Sequence, residues 1–339
     1  MHEDIRTSVH NDLDVTRREL DAMIEIPSVS APGYDASEVR RSAEFVASLL
    51  RGVGLDDVRL LELEDAHPAV FGQRSVSPDA PTVLLYAHHD VQPPGPREQW
   101  DTDPFAPDER DGRLYARGAA DDKAGIAMHL GTLRALDSDL PVNIKVFIEG
   151  EEEIGSTHLA EFLAAYADLL AADVIIIGDG GNWAPGVPGI TTSLRGLVDC
   201  VVTARTIEYG VHSGSFGGAY PDAIIALSRT LAQLHDDDGA VAVPGLSSGV
   251  AAGPDITREE LEEQAQPVSG VQLIGSGTLA SRLWRQPALS VIAIDAVPVS
   301  EAINQIVPEA RAKVSMRIPP GQDAQAAFDA LVAHIRDSA

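Results

Sequence analysis

The chain has 339 residues, 44% of them hydrophobic, and a single cysteine. At roughly 100–200 residues per domain, this length suits two globular domains, each with its own core. Fifty-two acidic against 25 basic side chains give a formal charge of −27, which repels phosphate backbones and anionic membranes and argues against nucleic acid or a membrane as partner. No apolar run approaches the roughly 18 residues that a membrane helix needs. The acidic N-terminus MHEDIRTSVHNDLDV lacks a secretory apolar stretch, so a cytoplasmic protein is expected. Cys200 stands among Leu197, Val198, Val201 and Val202 and reads as a buried strand residue, not a nucleophile.

In chain order, residues 10–25 and 36–51 space their apolar side chains as amphipathic helices. Residues 82–87 (TVLLYA) form a short apolar run read as a buried strand. A helix is predicted over 122–136 and a strand over 142–148 (VNIKVFI). A further helix spans 156–170 with Ser156 as N-cap, and 174–177 (VIII) reads as another buried strand. Strands alternating with helices imply an α/β sheet covered on its faces. After Arg195 the pattern changes. Strands over 196–203, 290–294 and 312–318, with helices over 222–234 and 324–335, suit a smaller α+β domain. The expected division is 1–194 and 195–339.

Four polar turns follow predicted strands or open a helix in the first domain, and ligands of open α/β sheets gather at strand carboxyl ends. In Ala87-His88-His89-Asp90, side chains two apart in extended chain face the same way, so Asp90 can orient the imidazole of His88 as carboxylates do for metal-bound histidines. Taken alone, the turn reads equally well as ordinary polar chain. Asp121-Asp122 at a helix start reads alone as a cap, and more sharply as a carboxylate bridging two cations. Glu149-Gly150-Glu151-Glu152-Glu153 is by default a solvated acidic turn, yet it follows an apolar strand, and a cation would offset its self-repulsion. Asp179 lies in GDGGNW, which lacks the full nucleotide fingerprint. Together these donors suit zinc, with manganese or cobalt as alternatives.

The motifs AHHDVQPP, WDTDPFAP, DGRLYARGAADDK, EGEEEIGS, TTSLRG, HSGSFGG and VPEARAKVSMRIPPGQD resemble, in order, those of the co-catalytic zinc peptidases and deacylases. That family includes acetylornithine deacetylase, glutamate carboxypeptidase and carnosine dipeptidase, and the dipeptidase branch is nearest. The resemblance implies a mixed-sheet α/β catalytic domain of zinc-exopeptidase type with an inserted α+β lid through which the protein dimerises. It implies two Zn²⁺ ions held by His88, Asp121 as the bridge, Glu153 and Asp179. It makes Asp90 the orienting group, places a cis peptide after Asp121, and makes Glu152 the general base that works with a zinc-activated water. His212 would reach the partner subunit's site and steady the oxyanion, and Arg317 would hold the substrate carboxylate.

The expected reaction is cleavage of dipeptides or similar small peptides. A deacylase acting on N-acyl amino acids is the nearest alternative, and a catalytically impaired, dimerising fragment is a second. The resemblance also implies a further C-terminal stretch carrying a last histidine ligand. His334, in an amphipathic segment, has no such context and receives no role, so the chain is expected to be a truncated part of a longer enzyme.

Overall fold

Short apolar strands alternating with amphipathic helices build a five-stranded sheet in the first half of the chain. The structure is a computed structural model describing residues 2–136, 140–182, 184 and 186–339. It divides into two units, Met1–Gly189 and Ile190–Ala339.

The first unit opens with three helices, α1 (His2–Asn11), α2 (Leu13–Ile24) and α3 (Ala36–Gly52). The helix expected over 10–25 is thus interrupted near Asp12. In α3, the Asp35 carboxylate accepts the Ser37 N–H at 2.9 Å, and Val39, Ala43, Val46, Ala47 and Leu50 form one buried stripe. Strands β1 (Asp57–Leu61), β2 (Ala69–Arg74) and β3 (Thr82–His88) follow, then the hairpin β4 (Asp108–Arg110) and β5 (Arg113–Tyr115). Asp111 and Gly112 both have positive φ there, the conformation a two-residue hairpin turn of this kind requires. Helix α4 (Lys123–Leu136), strand β6 (Asn143–Glu149), helices α5 (Leu159–Ala165) and α6 (Ala167–Leu170), and strand β7 (Val174–Ile177) complete the unit.

The sheet order is β1-β2-β6-β3-β7. Strands β1, β2 and β6 pair antiparallel, whereas β3 runs parallel to both β6 and β7. Alternation sends Leu85, Ala87, Val146 and Ile148 into a core with α3 and α4. Leu84, Phe71 and Phe147 enter a second core with Phe162 and Leu170. Phe147 stands edge-on to Phe162, ring centroids 6.3 Å apart, and burying such a side chain is worth about 1.5–3 kcal/mol.

Two expectations need correction. Val174–Ile177 is not buried: β7 is the sheet edge, and its four residues are 46–60% exposed. Ser156 is not an N-cap. It has φ +53° in a left-handed turn with Gly155, and α5 begins only after His158.

The second unit contains β8 (Gly196–Arg205), β9 (Val211–His212), α7 (Ser213–Phe216), α8 (Ala223–Ala232), α9 (Arg258–Ala265), α10 (Leu279–Trp284), β10 (Ala288–Asp295), β11 (Gln305–Ile306), β12 (Glu309–Ile318) and α11 (Ala324–Asp337). Strands β10, β12 and β8 form an antiparallel sheet in that order. Burial along β12 alternates strictly. Ala312, Val314, Met316 and Ile318 face cores closed by α8 and α11. Cys200 on β8 is only half-buried against that core. The opposite side exposes Leu197 and Val201, which pair with Arg317 and Lys313. Among the described residues no helix is long and apolar enough to cross a membrane.

Candidate metal centre

Strand register brings the acidic turns together. His88 at the end of β3 pairs with Glu149 at the end of β6, and Tyr86 pairs with Ile177 at the end of β7. The chain segments leaving these parallel strands therefore emerge at one edge. The N-terminus of α4 joins them through two close-packed glycines. A β-carbon on Gly125 would meet Asp122 and, at 2.8 Å, the Gly178 carbonyl, and one on Gly178 would lie 2.8 Å from His129 Nε2.

His88 is the centre of the cluster and is fully buried. Its Nε2 lies 3.0 Å from Asp121, 3.9 Å from Glu152 and 4.0 Å from Asp179. Its Nδ1 faces Asp90, 3.1 Å from the carbonyl and 3.3 Å from Oδ1. Donor atoms of His88, Asp121 and Glu153 lie within 4.8 Å of one another, as do those of His88, Asp122 and Asp179. The peptide bond between Asp121 and Asp122 is cis. Four of the residues singled out in the sequence, His88, Asp121, Glu153 and Asp179, thus enter these groups, and Glu152 and Asp90 border them.

Asp122 is the member that the sequence reading did not assign. It accepts the N–H of Gly125 at 3.2 Å and of His88 at 3.1 Å. The helix-cap and metal-site readings of the Asp121-Asp122 pair therefore divide: Asp122 caps α4 and Asp121 faces His88. Only the adjacency of the two carboxylates signalled this in the sequence.

The electrostatics favour a cation. Burial raises the Glu152 carboxyl above its ordinary pKa, and repulsion from Asp179 and Glu153 adds to this against the opposing pull of His88. Burial also raises Glu153, with Asp121 adding repulsion. Asp122 is pushed up to about 7, chiefly by burial. Burial lowers His88, yet it rises to about 10 because the hydrogen bond and charge of Asp90, with the charges of Asp122 and Glu152, together outweigh that burial. Lys123 Nζ donates to the carbonyls of Met23 and Ile26, both at 2.8 Å, and burial lowers its pKa to about 7, which weakens its positive charge at neutral pH. A dense carboxylate cluster around one imidazole is the donor set that divalent zinc takes, and a cation there would favour the ionised carboxylates.

His212 and Arg317 lie in the second unit. His212 ends β9, and its Nδ1 accepts the N–H of Gly214 at 3.1 Å, so Nε2 is the nitrogen left to donate. Arg317 is exposed on β12. On the same face Arg311 pairs with Asp295 at 2.8 Å and Lys313 with Asp199 at 3.2 Å. No acidic partner of Arg317 is found among the described residues. Burial, with added repulsion from Arg317, lowers the pKa of Arg195. Trp183, the last residue of GDGGNW, lies outside the described residues.

Residues 84–339 match the description of peptidase family M20/M25/M40. The chain belongs to this family. It is 38% identical over 313 residues to a cysteinylglycine-S-conjugate dipeptidase from Corynebacterium striatum, covering 91% of this chain and 69% of that one. It is 32% identical over 324 residues to a β-Ala-His dipeptidase of Rattus norvegicus, covering 88% of this chain and 65% of that one. An M20 metallo-carboxypeptidase from Sulfolobus solfataricus superposes with a TM-score of 0.79 at 26% identity, over 95% of this chain and 75% of that one. This M20 chain is accordingly a metallopeptidase with the mixed α/β architecture of its relatives, and its nearest branch is that of the dipeptidases.

Proposed function

We propose that this M20 protein hydrolyses the amide bond of dipeptides, with His88, Asp121, Glu153 and Asp179 holding a pair of zinc ions and Glu152 serving as general base. The observation that carries this reading is the convergence of those side chains around His88 Nε2. Bound divalent metal would supply Lewis acidity toward water and the scissile carbonyl.

Glu152 is suited to proton transfer because it borders both donor groups while remaining partly exposed. It would take the proton of the attacking water and return it to the leaving amine. Its carboxyl stands above the usual range through burial and neighbouring acids. A nearby cation lowers it into the window where a base is ionised at neutral pH. Asp90 holds the imidazole of His88 from behind, so His88 presents Nε2.

For His212 we keep the role of oxyanion donor, consistent with its Nε2–H tautomer. For Arg317 we keep that of carboxylate partner, consistent with its lack of an acidic neighbour among the described residues. Homodimer formation through the second unit belongs to the same reading, supported by the exposed apolar side chains of Leu197 and Val201 on β8. So does residence in the cytoplasm, supported by the lone, half-buried cysteine.

The test is Glu152→Ala. With the metal retained, the loss of the base should lower kcat for Ala-Ala or Cys-Gly by about 10²–10⁴-fold. Wild-type turnover by a metal-replete variant would refute the assignment. Faster cleavage of N-acetyl amino acids than of dipeptides would redirect the substrate class.

A further inference from the structure

The loop between α2 and α3 lies far in sequence from the acidic turns but is built against them. Val29 bridges Val91 in parallel, and the Val91 N–H donates to the Ser28 carbonyl at 3.0 Å. Ser28 Oγ donates to the His89 carbonyl at 2.6 Å. Ser30 Oγ donates to Asp90 Oδ2, also at 2.6 Å. Both serines are buried, and Asp90 is wholly removed from solvent.

Asp90 is surrounded by donors, two for each oxygen. Oδ1 takes the Glu152 N–H at 3.2 Å and lies 3.3 Å from His88 Nδ1, which also reaches the Asp90 carbonyl at 3.1 Å. Oδ2 takes Ser30 Oγ at 2.6 Å and the Glu153 N–H at 3.1 Å. An ionised carboxylate offers about four lone-pair sites, and three hydrogen bonds with the close contact to His88 occupy this one. A single carboxylate therefore fixes the imidazole of His88 and the backbone of both Glu152 and Glu153.

The terminal torsion of an Asp side chain has a broad energy profile, so the rotamer alone does not hold this orientation. Ser30 makes the shortest of the four contacts, and the other three come from the turns that Asp90 itself must organise. The hydroxyl of Ser30 is the outside reference that sets the plane of the carboxylate.

We infer that Ser30 is a positioning residue of the hydrolytic centre, acting through Asp90 to aim His88 and the Glu152-Glu153 turn. The inference rests on the proposed reaction only for its kinetic arm. Removing the hydroxyl leaves Oδ2 buried with one long backbone bond, and the carboxylate is then free to rotate away from His88 and Glu152 together.

The experiment compares Ser30→Ala, Ser30→Thr and Ser28→Ala in the full chain. Two readouts are taken: Zn²⁺ affinity by competition titration of metal-free protein, and kcat and KM for Ala-Ala. Loss of an outer-shell partner weakens metal binding or activity by about 10–100-fold. Ser30→Ala should show a loss of that order in both Zn²⁺ affinity and kcat, with KM within about threefold. Ser30→Thr, which keeps the hydroxyl, should return both to within about threefold. Ser28→Ala removes a hydroxyl of similar burial that does not touch Asp90, and Ser42 Oγ still reaches the His89 carbonyl at 3.3 Å. It should lower thermal stability without the metal and kcat losses. Should Ser30→Ala not fold, Ser30→Cys, a weak donor of similar size, gives the same comparison.

Zinc affinity and kcat of Ser30→Ala both within twofold of wild type, or equal losses in Ser28→Ala, would overturn the role of Ser30. A wild type with tight zinc binding but no dipeptide turnover would overturn the proposed reaction instead, and the affinity comparison would still decide the case for Ser30.

Discussion

A β-carbon on Gly150 would lie 2.7 Å from the carbonyl oxygen of Pro68 and 2.9 Å from Nε2 of His89. The space is taken by a hydrogen bond: His89, fully buried, places Nε2 2.9 Å from that carbonyl. Burial moves the imidazole of His89 down to about 4, which keeps it neutral. Gly150→Ala should therefore destabilise the fold by about 1–3 kcal/mol, the usual cost of overpacking a filled interior. Urea unfolding measures this, and an unchanged midpoint would show that the turn has slack. At this scale each acidic or histidine turn alone read as ordinary polar chain, and the resemblance singled out His88, Asp121, Glu153 and Asp179, whose donor atoms the structure brings together. Ser30 was not singled out, because serine is common in loops and its meaning comes from a contact 60 positions away. Glu151 was read only as part of a charge run, yet it is buried and accepts the N–H of His67 at 2.8 Å.

The turn between β6 and α5 shows how an element holds its functional residues. Glu151 Oε2 lies 2.8 Å from His158 Nδ1 and accepts the His158 N–H at 3.2 Å. The Glu151 carbonyl accepts the N–H of Ser156 at 2.9 Å. These bonds close the segment that carries Glu152 and Glu153. The hydrogen bond to Glu151 raises the pKa of His158 above its ordinary value. A raised histidine stabilises the fold below its unfolded pKa of about 6.5, and that contribution is lost as pH rises through the folded value. In Glu151→Gln, the imidazole resonances of His158 should titrate closer to 6.5. Identical titration curves in the two proteins would mean that the pair does not form in solution. Strongly periodic elements such as α3 and β3 could be read from the sequence. Strand β1 (DVRLL) was missed because Asp57 and Arg59 interrupt its apolar residues, and β2 (AVFGQR) because its apolar run is only three residues before Gly72 and Gln73. The apolar β7 was misread as buried because an edge position depends on sheet order, which no single segment encodes.

Over the whole molecule, each unit has its own apolar cores. Leu130, Val146 and Phe147 serve the first, and Val314, Met316 and Leu331 the second. At the start of the second unit, Ile190 is 92% and Leu194 75% exposed, in chain without regular structure. Brief thermolysin treatment should cut first within 186–195 and leave two resistant pieces by mass spectrometry, since exposed, unstructured apolar residues are preferred sites of nicking. A first cut inside α4 or β12 would contradict that partition. The excess of acidic over basic residues is a property of the whole chain, but its consequence is local, where carboxylates from separate turns face one imidazole. The most direct test of the account is anomalous diffraction at the zinc edge from crystals of the protein grown with Zn²⁺. The account predicts peaks at bonding distance, about 2.0–2.2 Å, from His88 Nε2 and from the carboxylates of Asp121, Glu153 and Asp179. Zinc found only elsewhere on the protein, with these side chains unliganded, would contradict it.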